Sequence, residues 1–351
     1  MNIGIMLPNW IGDCVMATPA LRALRRRYPA PHRLIGIMQP YVQDVLAGTD
    51  WLDEQVYFHR RSDHSRYRMA SVVDQLQHRS LDAMVLMTNS FSSAWLAFRA
   101  RAKRRIGYSR NCRWPLLTQR LLAPRDEFGY RPISAVDYYL ELAYAMDCLL
   151  ESRTLELATT AQDEQAAEAV WQRFGLQFSQ GVVVLSTGGA FGAAKRWPDE
   201  YFATLARRIT TELDHAVLVI CGPAERKAAA NIARAANHPR VVSLANEEAN
   251  IGLSKACVKR SQLMIATDSG PRHFAAAFGV PIVSLFGPTD PRWSINYHAE
   301  ETRLFESLPC APCQQRICPL GHHDCMRNLS VDRVFGAACD KLGAMSMRSA
   351  A

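Results

Sequence analysis

Residues 182–200 read VVVLSTGGAFGAAKRWPDE. The first five are mostly β-branched and apolar, which is typical of a strand that is buried on both faces. The next eleven form a loop with three glycines, one lysine and one arginine. Pro198, Asp199 and Glu200 then predict a helix start, because proline suits the first turn and carboxylates favour the positive end of the helix. This order indicates an α/β unit whose loop lies where open parallel sheets bind ligands.

The same rhythm continues on both sides of this stretch and predicts two doubly wound, Rossmann-like domains. The length of 351 residues suits two domains of about 150–180 residues. We place them at 1–165 and 166–351, with a cysteine-rich segment at 310–325 in the second. The further strand candidates are Ile3–Leu7, Leu34–Met38, Ala83–Met87, Ala216–Cys221, Leu263–Thr267 and Ile282–Phe286. Helices are expected at Ala224–Ala236 and at Gly270–Phe278, where Gly279 ends the helix.

Composition excludes several classes of protein. Hydrophobic residues make up 48% of the chain and charged residues 21%, which argues against wholesale disorder. No run of about 18 apolar residues predicts a membrane-spanning helix. The first residues do not read as a signal peptide, since no basic residue precedes the apolar start and Asp13 interrupts it. A cytoplasmic location is therefore expected.

The net charge of +8 is unevenly distributed. Residues 1–153 hold 21 basic and 14 acidic residues, or +7, whereas the remainder holds 20 and 19, or +1. The first half should therefore meet an acidic partner such as nucleic acid, anionic lipid or a phosphorylated substrate. A basic surface that merely maintains solubility is the alternative. The densest basic stretch contains Arg99, Arg101, Lys103, Arg104, Arg105, Arg110 and Arg113.

The loop after the first strand reads Trp10-Ile11-Gly12-Asp13. A carboxylate behind a glycine at this place suits a general base, and Asp13 is the candidate. Simple helix capping by Asp13 explains the pattern equally well. Two helix starts are consistent with the sequence: Asp13 caps a helix that Pro19 kinks, or Thr18 caps a helix with Pro19 in its first position.

The loop at 187–197 suits phosphate oxygens, because it combines glycines with Lys195 and Arg196 ahead of a helix. It lacks the Gly-Lys-Ser/Thr ending of a P-loop and the Gly-x-Gly-x-x-Gly pattern of dinucleotide sites. A flexible loop with solvated charges is the alternative.

Two further loops carry candidate residues. Thr267-Asp268-Ser269-Gly270-Pro271-Arg272-His273 ends one strand and starts a helix, so the amides of residues 269–272 and His273 could contact an anion. A structural role for His273 is the alternative. Glu225, after another strand, could accept hydrogen bonds from a ribose or simply favour a helix start. Asp-x-Asp is absent from the sequence, which argues against a sugar diphosphate held through a divalent metal.

Ten cysteines fall into two groups. Cys14, Cys112, Cys148, Cys221, Cys257 and Cys339 are scattered, and without an export signal we expect reduced, largely buried thiols. Cys310, Cys313, Cys318 and Cys325 cluster around His322 and His323. Their spacing is compatible with a structural zinc ion, although it fits no standard zinc knuckle closely; disulfides and packed thiols are the alternatives.

Taken together, these motifs resemble glycosyltransferase family 9, the ADP-heptose:lipopolysaccharide heptosyltransferases. The resemblance covers roughly residues 1–340. The motifs that carry it are Trp10–Asp13 followed by Thr18–Leu21, Gly188–Pro198, Thr267–His273 and Phe286–Thr289. The second motif and Thr88-Asn89-Ser90-Phe91 with Ser93 are most similar to the type II enzymes. Arg272 departs from the pattern, because methionine is usual at its position.

The resemblance implies a GT-B fold, in which two Rossmann-like domains face each other across a cleft. It also implies inverting, metal-independent transfer of L-glycero-D-manno-heptose from ADP-heptose to the first heptose of the lipopolysaccharide inner core. The acceptor, Kdo-lipid A bearing heptose, would bind the N-terminal domain and the donor the C-terminal domain. Such an enzyme would work in the cytoplasm, peripheral to the anionic inner membrane, with no nucleic-acid partner.

The resemblance assigns roles residue by residue. Asp13 matches the catalytic base, and Lys195 matches the lysine at the donor diphosphate. The other donor-binding positions are Thr187, Gly188, Glu225, Asp268, Ser269, Gly270 and His273. We expect the acceptor or the membrane surface to meet Asn89, Ser90, Arg101, Arg104 and Arg105. No cofactor is expected for catalysis, and the zinc at the clustered cysteines would be structural.

Four other functions are alternatives. A family 9 heptosyltransferase of type I or III would use a different acceptor. A sugar-nucleotide epimerase would need a dinucleotide fingerprint and a Tyr-x-x-x-Lys pair, for which the chain offers no convincing context. A non-catalytic sugar-nucleotide-binding protein or a nucleic-acid binder is suggested only by charge.

Overall fold

The computed structural model describes residues 1–127, 129–188 and 191–349, so Gly189 and Ala190 of the glycine-rich motif lie outside the described residues. The chain forms two compact units. The first comprises Met1–Ala158 and Arg292–Ile295, and the second comprises Thr159–Pro291 and Asn296–Ala351. The sequence-based boundary lies a few residues later, between 165 and 166, inside the first helix of the second unit.

The first unit alternates strands and helices. Its elements are β1 (Asn2–Met6), α1 (Ile11–Met16), α2 (Thr18–Arg27), β2 (Arg33–Met38), α3 (Val42–Leu46), β3 (Glu54–Tyr57), α4 (Met69–His78), β4 (Ala83–Leu86), α5 (Phe91–Arg99), β5 (Arg104–Tyr108), β6 (Gln119–Leu121), β7 (Arg125–Asp126), β8 (Gly129–Tyr130) and α6 (Ala135–Tyr144). A parallel sheet runs in the order β3-β2-β1-β4-β5-β6, and β7 and β8 form a separate antiparallel pair. This order reverses between β1 and β4, so the loops after these two strands flank the point where such sheets bind ligands.

The second unit repeats the arrangement. Its elements are α7 (Ala161–Phe174), β9 (Val182–Ser186), α8 (Asp199–Glu212), β10 (Ala216–Ile220), α9 (Arg226–Ala236), β11 (Val241–Ser243), α10 (Ile251–Lys259), β12 (Leu263–Thr267), α11 (Arg272–Phe278), β13 (Ile282–Leu285), β14 (Glu301–Leu304), α12 (Asp324–Arg327) and α13 (Val331–Ser349). The parallel order is β11-β10-β9-β12-β13-β14, with the reversal between β9 and β12. The prediction of two Rossmann-like domains is therefore confirmed.

The loop after β9, which we call the β9 loop, comprises residues 187–197. Its C-terminal end is held in the core of the second unit. Trp197 is fully buried and meets Phe202 edge-on, with ring centroids 4.7 Å apart. Its indole Nε1 donates to the Leu329 carbonyl at 2.8 Å, so its polar atom is satisfied inside the core. The loop is thus anchored by β9 at one end and by Trp197 at the other.

Neither predicted helix start in the first unit is correct. α1 and α2 are separate helices joined at Ala17, and Ala17 is the N-cap of α2, with Pro19 in the first turn. The Thr18 hydroxyl donates back to the Val15 carbonyl at 2.8 Å instead of capping. Asp13 lies in the first turn of α1, seven residues after β1 ends. None of the described helices is long and apolar enough to cross a membrane.

Candidate functional site

The loops after β9 and β12 meet at the reversal point of the second sheet. Lys195 Nζ donates to the Asp268 carboxylate at 2.6 Å and to the Asp268 carbonyl at 2.9 Å. Both side chains are largely buried, with 12% and 10% of their surface exposed. The structure therefore brings together two residues that are 73 positions apart in sequence. An anion that approaches Lys195 must compete with Asp268 for the ammonium group, or share it.

Asp268 is held by charges and hydrogen bonds on several sides. Arg272 Nη2 lies 3.3 Å from Oδ1, and the Thr289 hydroxyl donates to Oδ2 at 2.7 Å. Burial alone would raise the pKa of Asp268, but the Arg272 and Lys195 charges hold it well below its usual range. Asp268 therefore stays ionised and oriented at the end of β12.

Arg272 links Asp268 to a second buried carboxylate. Its Nη1 lies 2.5 Å from Glu301 Oε1, and neither side chain has more than 2% of its surface exposed. Burial would raise the pKa of Glu301, but Arg272 and the Ser284 hydroxyl lower it. The departure from the family pattern at Arg272 is thus a buried structural cation between two carboxylates, rather than an extra charge on the site surface.

His273 is fully enclosed beside Arg272. Burial and the neighbouring Arg272 charge lower the pKa of His273 to about 3, so the ring is neutral near pH 7. Its Nδ1 is 2.6 Å from Asn296 Oδ1, which fits an N–H donor there, and Nε2 is 3.5 Å from Arg272 Nη2. In this arrangement the ring has no proton to donate to a phosphate, which departs from the sequence expectation for His273.

The remaining donor-side candidates gather near the ends of β9, β10 and β12. Glu225 leans over Gly188 so closely that a Cβ there would lie 1.9 Å from a carboxylate oxygen, which explains the glycine. The Gly222 amide donates to Glu225 Oε2 at 3.0 Å. Thr187 and Ser269 are buried at the strand ends, and Gly270 is half-buried in the turn before α11. The loops therefore form one polar edge at the carboxyl end of the sheet.

In the first unit, Asp13 receives a hydrogen bond from a tyrosine of α6. The Tyr139 hydroxyl donates to Asp13 Oδ1 at 3.1 Å, and Asp13 is half-buried. Burial and the neighbouring Asp13 carboxylate raise the pKa of Tyr139 well above its ordinary value, so the phenol keeps its proton. A hydrogen bond to the ionised carboxylate stabilises that form, as a general base requires.

The loop after β4 carries Asn89 and Ser90. Ser90 is the N-cap of α5 and accepts from the Ser93 amide at 3.1 Å. Asn89 Oδ1 accepts from Arg113 Nη2 and from the Tyr138 hydroxyl, both at 3.0 Å. Arg113 is fully buried, so its expected place on a basic surface is wrong.

Arg101 and Lys103 are exposed, whereas Arg104 and Arg105 are half-buried and donate to neighbouring carbonyls. An open depression of about 520 Å3 lies here. Its lining is Gln77, Phe98, Arg99, Arg101, Ala102, Lys103 and Arg105, which we call the basic depression. Four residues of the basic stretch, Arg99, Arg101, Lys103 and Arg105, therefore line one concave surface that is open to solvent.

The cysteine-rich segment also lies beside the β9 loop. Its four cysteines line one cavity of about 20 Å3 together with Ala194, Pro288 and both histidines. Within the described ranges, however, no three His, Cys, Asp or Glu side chains are placed so that they could hold a metal ion. The structural zinc expected at Cys310, Cys313, Cys318 and Cys325 is therefore not supported. All ten cysteines are free thiols, and Cys112 is exposed, so the expectation of largely buried thiols was too broad.

Sequence reasoning missed three residues around the two sites. Tyr139 gave no signal, because one tyrosine in a helix is ordinary. Thr289 ends the Phe286–Thr289 motif, and its position after β13 could have pointed to Asp268. Glu301 begins an edge strand, and a single sequence does not reveal which buried cation it meets.

The chain is similar in sequence to proteins of one known family. The sequence pattern of glycosyltransferase family 9 (heptosyltransferase) matches residues 69–323. The chain is 26% identical to lipooligosaccharide heptosyltransferase 2 of Campylobacter jejuni, over 96% of this chain and 97% of that protein. It is 26% identical to lipopolysaccharide heptosyltransferase 2 of Salmonella typhimurium, over 87% of this chain and 88% of that protein.

Among solved structures, the ADP-heptose lps heptosyltransferase II of Escherichia coli matches with a TM-score of 0.80. The match covers all of both chains at 22% identity. At this identity the likeness is one of fold, and it extends over both Rossmann-like units.

Proposed function

Because the chain belongs to glycosyltransferase family 9, the heptosyltransferases, we propose that it transfers L-glycero-D-manno-heptose from ADP-heptose to the first heptose of the lipopolysaccharide inner core. The relatives named heptosyltransferase 2 support the acceptor position, and they match over most of their length. The observation that carries the proposal is the meeting of Lys195 with Asp268 at the reversal point of the second sheet. A cation at that place suits the diphosphate of a sugar nucleotide.

We propose that the second unit binds the donor. Lys195 would contact the diphosphate, and the Thr187–Gly188 turn would allow its close approach. Glu225 would accept from the ribose hydroxyls, and Asp268 would accept from hydroxyls of the heptose while it fixes Lys195. Ser269 and Gly270 would add main-chain donors. His273 would serve by packing, since its ring is neutral and enclosed.

We propose that Asp13 acts as the base in the first unit. Its carboxylate takes the proton of the acceptor hydroxyl while the oxygen attacks the anomeric carbon of the donor. The bond from that carbon to the ADP oxygen breaks on the opposite face, so the configuration inverts. Lys195 stabilises the negative charge that develops on the leaving phosphate. No step in this scheme requires a divalent metal.

The purified protein should release ADP only when ADP-heptose and a suitable acceptor are both present. Kdo-lipid A bearing one heptose should be a substrate, whereas Kdo-lipid A without heptose should not. Excess chelator should leave the rate unchanged. Transfer to the unheptosylated acceptor would indicate a type I enzyme, and ADP-heptose binding without any transfer would indicate a binding protein.

Replacing Lys195 by Ala is expected to lower kcat by about 10²–10³, the usual cost of removing one stabiliser of transition-state charge. The rate of ADP release at saturating acceptor measures this effect. Arg196→Ala is the matched control, since Arg196 is the adjacent cation and is exposed. A Lys195→Ala enzyme within threefold of the wild type would exclude Lys195 from the diphosphate site.

Replacing Tyr139 by Phe should move the acidic limb of the kcat profile to higher pH. The phenol favours the ionised form of Asp13, so its loss makes that carboxyl easier to protonate. A hydrogen bond to a charged group at about 1.5 kcal/mol corresponds to roughly one pH unit. Tyr138→Phe is the control, because Tyr138 donates to Asn89 instead. If the pH profiles of Tyr139→Phe and the wild type were superimposable, Tyr139 would have no influence on the catalytic base.

We propose that the basic depression meets phosphates of the acceptor and the anionic inner-membrane surface from the cytoplasmic side. Arg99, Arg101 and Lys103 are exposed around it, and so is the aromatic ring of Phe98. An exposed aromatic ring beside basic groups is typical of surfaces that contact anionic lipid headgroups. Asn89 and Ser90, near the start of α5, would orient the sugar part of the acceptor.

The double variant Arg101→Glu/Lys103→Glu should bind vesicles that contain phosphatidylglycerol at least tenfold more weakly, at about 1 kcal/mol for each basic residue near the surface. Sedimentation with vesicles at low salt measures this binding. Arg207→Glu/Lys227→Glu changes the net charge equally at exposed positions of the second unit and should bind as the wild type does. Equal losses in both double variants would leave no special role for the basic depression.

A further inference from the structure

The loop after β5 brings the guanidinium groups of Arg110 and Arg113 close together. Arg113 is fully buried and donates to the Tyr108 carbonyl at 2.9 Å and to Asn89 Oδ1 at 3.0 Å. Burial, together with the nearby charge of Arg110, lowers the pKa of Arg113 to about 10. Within the described ranges, no carboxylate forms an ion pair with either guanidinium. Two neighbouring cations without a counter-ion favour the binding of an anion.

Arg110 has hydrogen-bonding capacity that the protein leaves unused. It is half-buried, and its guanidinium carbon lies 3.8 Å from the centroid of the Tyr130 ring. Its Nε–H is buried and has no hydrogen-bond partner among the described residues. Burial raises the pKa of Tyr138, and a hydrogen bond from Arg110 opposes that shift, so the guanidinium also lies beside this phenol. An arginine that is held by aromatic side chains keeps its planar fork of donors for an oxyanion.

Asn89 presents two further donors at the end of the neighbouring strand β4. Its Oδ1 accepts from Arg113 Nη2 and from the Tyr138 hydroxyl, both at 3.0 Å, and its carbonyl accepts from Asn111 Nδ2 at 3.0 Å. Because two donors meet Oδ1, the other end of the amide must be the NH2 group, and that group donates to none of the described residues. Asn89 is half-buried and oriented on three sides, so its NH2 group has a fixed direction.

Helix α6 connects Asn89 to the proposed base. Tyr138 donates to Asn89, and the next residue, Tyr139, donates to Asp13 Oδ1 at 3.1 Å. The two rings meet edge-on with their centroids 6.0 Å apart. The hydrogen bonds that orient Asn89 and Asp13 therefore come from consecutive residues of one helix, and a substrate held at Asn89 is held in a defined position relative to Asp13.

We propose that Arg110 and the Asn89 amide bind an oxyanion of the acceptor and so align the acceptor hydroxyl with Asp13. Tyr138 and Arg113 act as positioning residues for these two side chains. The oxyanion is either the carboxylate of Kdo, the acidic sugar that bears the accepting heptose, or a phosphate group of the acceptor, since both match a guanidinium fork. This inference rests on the proposed function, and it adds a specificity residue that does not line the basic depression.

The test compares the wild type with Arg110→Met, which keeps an apolar side chain against Tyr130. Three acceptors are used. The heptosyl-Kdo disaccharide has the carboxylate and no phosphate, its methyl ester has neither, and Kdo-lipid A bearing one heptose has both. ADP release gives KM and kcat for each. Arg120→Met is the matched control, because Arg120 is an exposed arginine of the same unit and lies 5.0 Å from the centroid of the Trp114 ring.

Two further variants test the site without removing Arg110. Asn89→Asp keeps an oxygen that accepts from Arg113 and Tyr138, so the local fold is retained, but it replaces the NH2 donors by a charge that repels an oxyanion. It should raise the KM of the affected acceptor at least tenfold. Tyr138→Phe removes one of the groups that orient Asn89. It should raise this KM more modestly and leave the acidic limb of the kcat profile in place.

If the oxyanion is the carboxylate, Arg110→Met should raise the KM of the disaccharide and of the lipid acceptor at least tenfold, the usual effect of removing one charged hydrogen-bond partner. The KM of the methyl ester should not change. If the oxyanion is a phosphate, only the KM of the lipid acceptor should rise. In both cases kcat should stay within about threefold of the wild type, because the contact is made equally in the ground state and the transition state. Arg120→Met should resemble the wild type with all three acceptors.

Equal changes of KM for all three acceptors, or no change for any, would overturn the inference. Calorimetry in the presence of saturating ADP measures binding of the disaccharide and of inorganic phosphate without turnover. A wild type that transfers heptose to none of the acceptors would overturn the proposed function. If such a protein bound one of these anions and lost that binding in Arg110→Met, the anion site itself would still be supported. Equal binding of both anions by the wild type and Arg110→Met would exclude it.

Discussion

Asp13→Asn is expected to lower kcat for heptose transfer by 10²–10⁴, the range that a general base contributes. Asparagine has nearly the same shape and can still accept the Tyr139 hydrogen bond, but its amide cannot take a proton from the acceptor hydroxyl. ADP affinity should stay within about twofold of the wild type, because the proposed diphosphate contacts lie in the second unit. Single-turnover ADP release and ADP calorimetry measure the two quantities separately.

Asp50→Asn is the matched control for this prediction. It removes an exposed carboxylate from the same unit, and it changes the net charge of the protein by the same amount as Asp13→Asn does. An Asp13→Asn enzyme that retains more than a tenth of the wild-type turnover would show that Asp13 is not the base. A large loss of ADP affinity in the same variant would argue that Asp13 supports the fold rather than the chemistry.

Arg272→Leu is expected to lower the free energy of unfolding of the second unit by about 3–5 kcal/mol. The substitution leaves the buried carboxylates of Asp268 and Glu301 without the cation between them. The pKa values of both carboxyls are held down by Arg272, so the stabilisation is present above about pH 4 and is lost as the pH falls below it. The difference in the free energy of unfolding between the wild type and Arg272→Leu should therefore become smaller as the pH is lowered.

Urea unfolding followed by pulse proteolysis of the second unit measures this difference. Arg303→Leu is the control, because Arg303 binds the same Glu301 at 3.0 Å with 30% of its side chain exposed. We expect the control to cost at most about 1 kcal/mol, as for a partly solvated pair. Equal losses in both variants would mean that Arg272 stabilises the unit only as an ordinary surface cation does.

Together these two experiments distinguish a carboxylate that takes part in the reaction from carboxylates that stabilise the fold. Asp13 is half-buried and has a protonated phenol as a partner, which suits a group that must exchange a proton with a substrate. Asp268 is buried among cations and stays ionised, which suits a group that holds Lys195 and accepts hydrogen bonds. The two carboxylates end up with different roles because their surroundings differ.

Local sequence was sufficient to predict seven strands of the two sheets, namely β1, β2, β4, β9, β10, β12 and β13, but it did not reveal β3, β5, β6, β11 or β14. Val182–Ser186 and Leu263–Thr267 are short apolar runs followed at once by glycine or aspartate, and periodicity and turn chemistry act over only a few residues. The same signals pointed to Asp13, Lys195 and Asp268, which lie in the first turn of α1, within the β9 loop and directly after β12. The uneven distribution of charge between the two halves likewise follows from the sequence alone.

Only the tertiary structure decided which side chains became partners. Tyr139 lies 126 positions from Asp13, and His323 lies 129 positions from Ala194. Contacts between distant residues depend on how whole sheets and helices pack, and the pattern around any single residue does not specify that packing. For the same reason, Arg113 and Arg272 look like surface cations in sequence but are enclosed by acceptors in the folded chain, where burial is affordable because each guanidinium is paired.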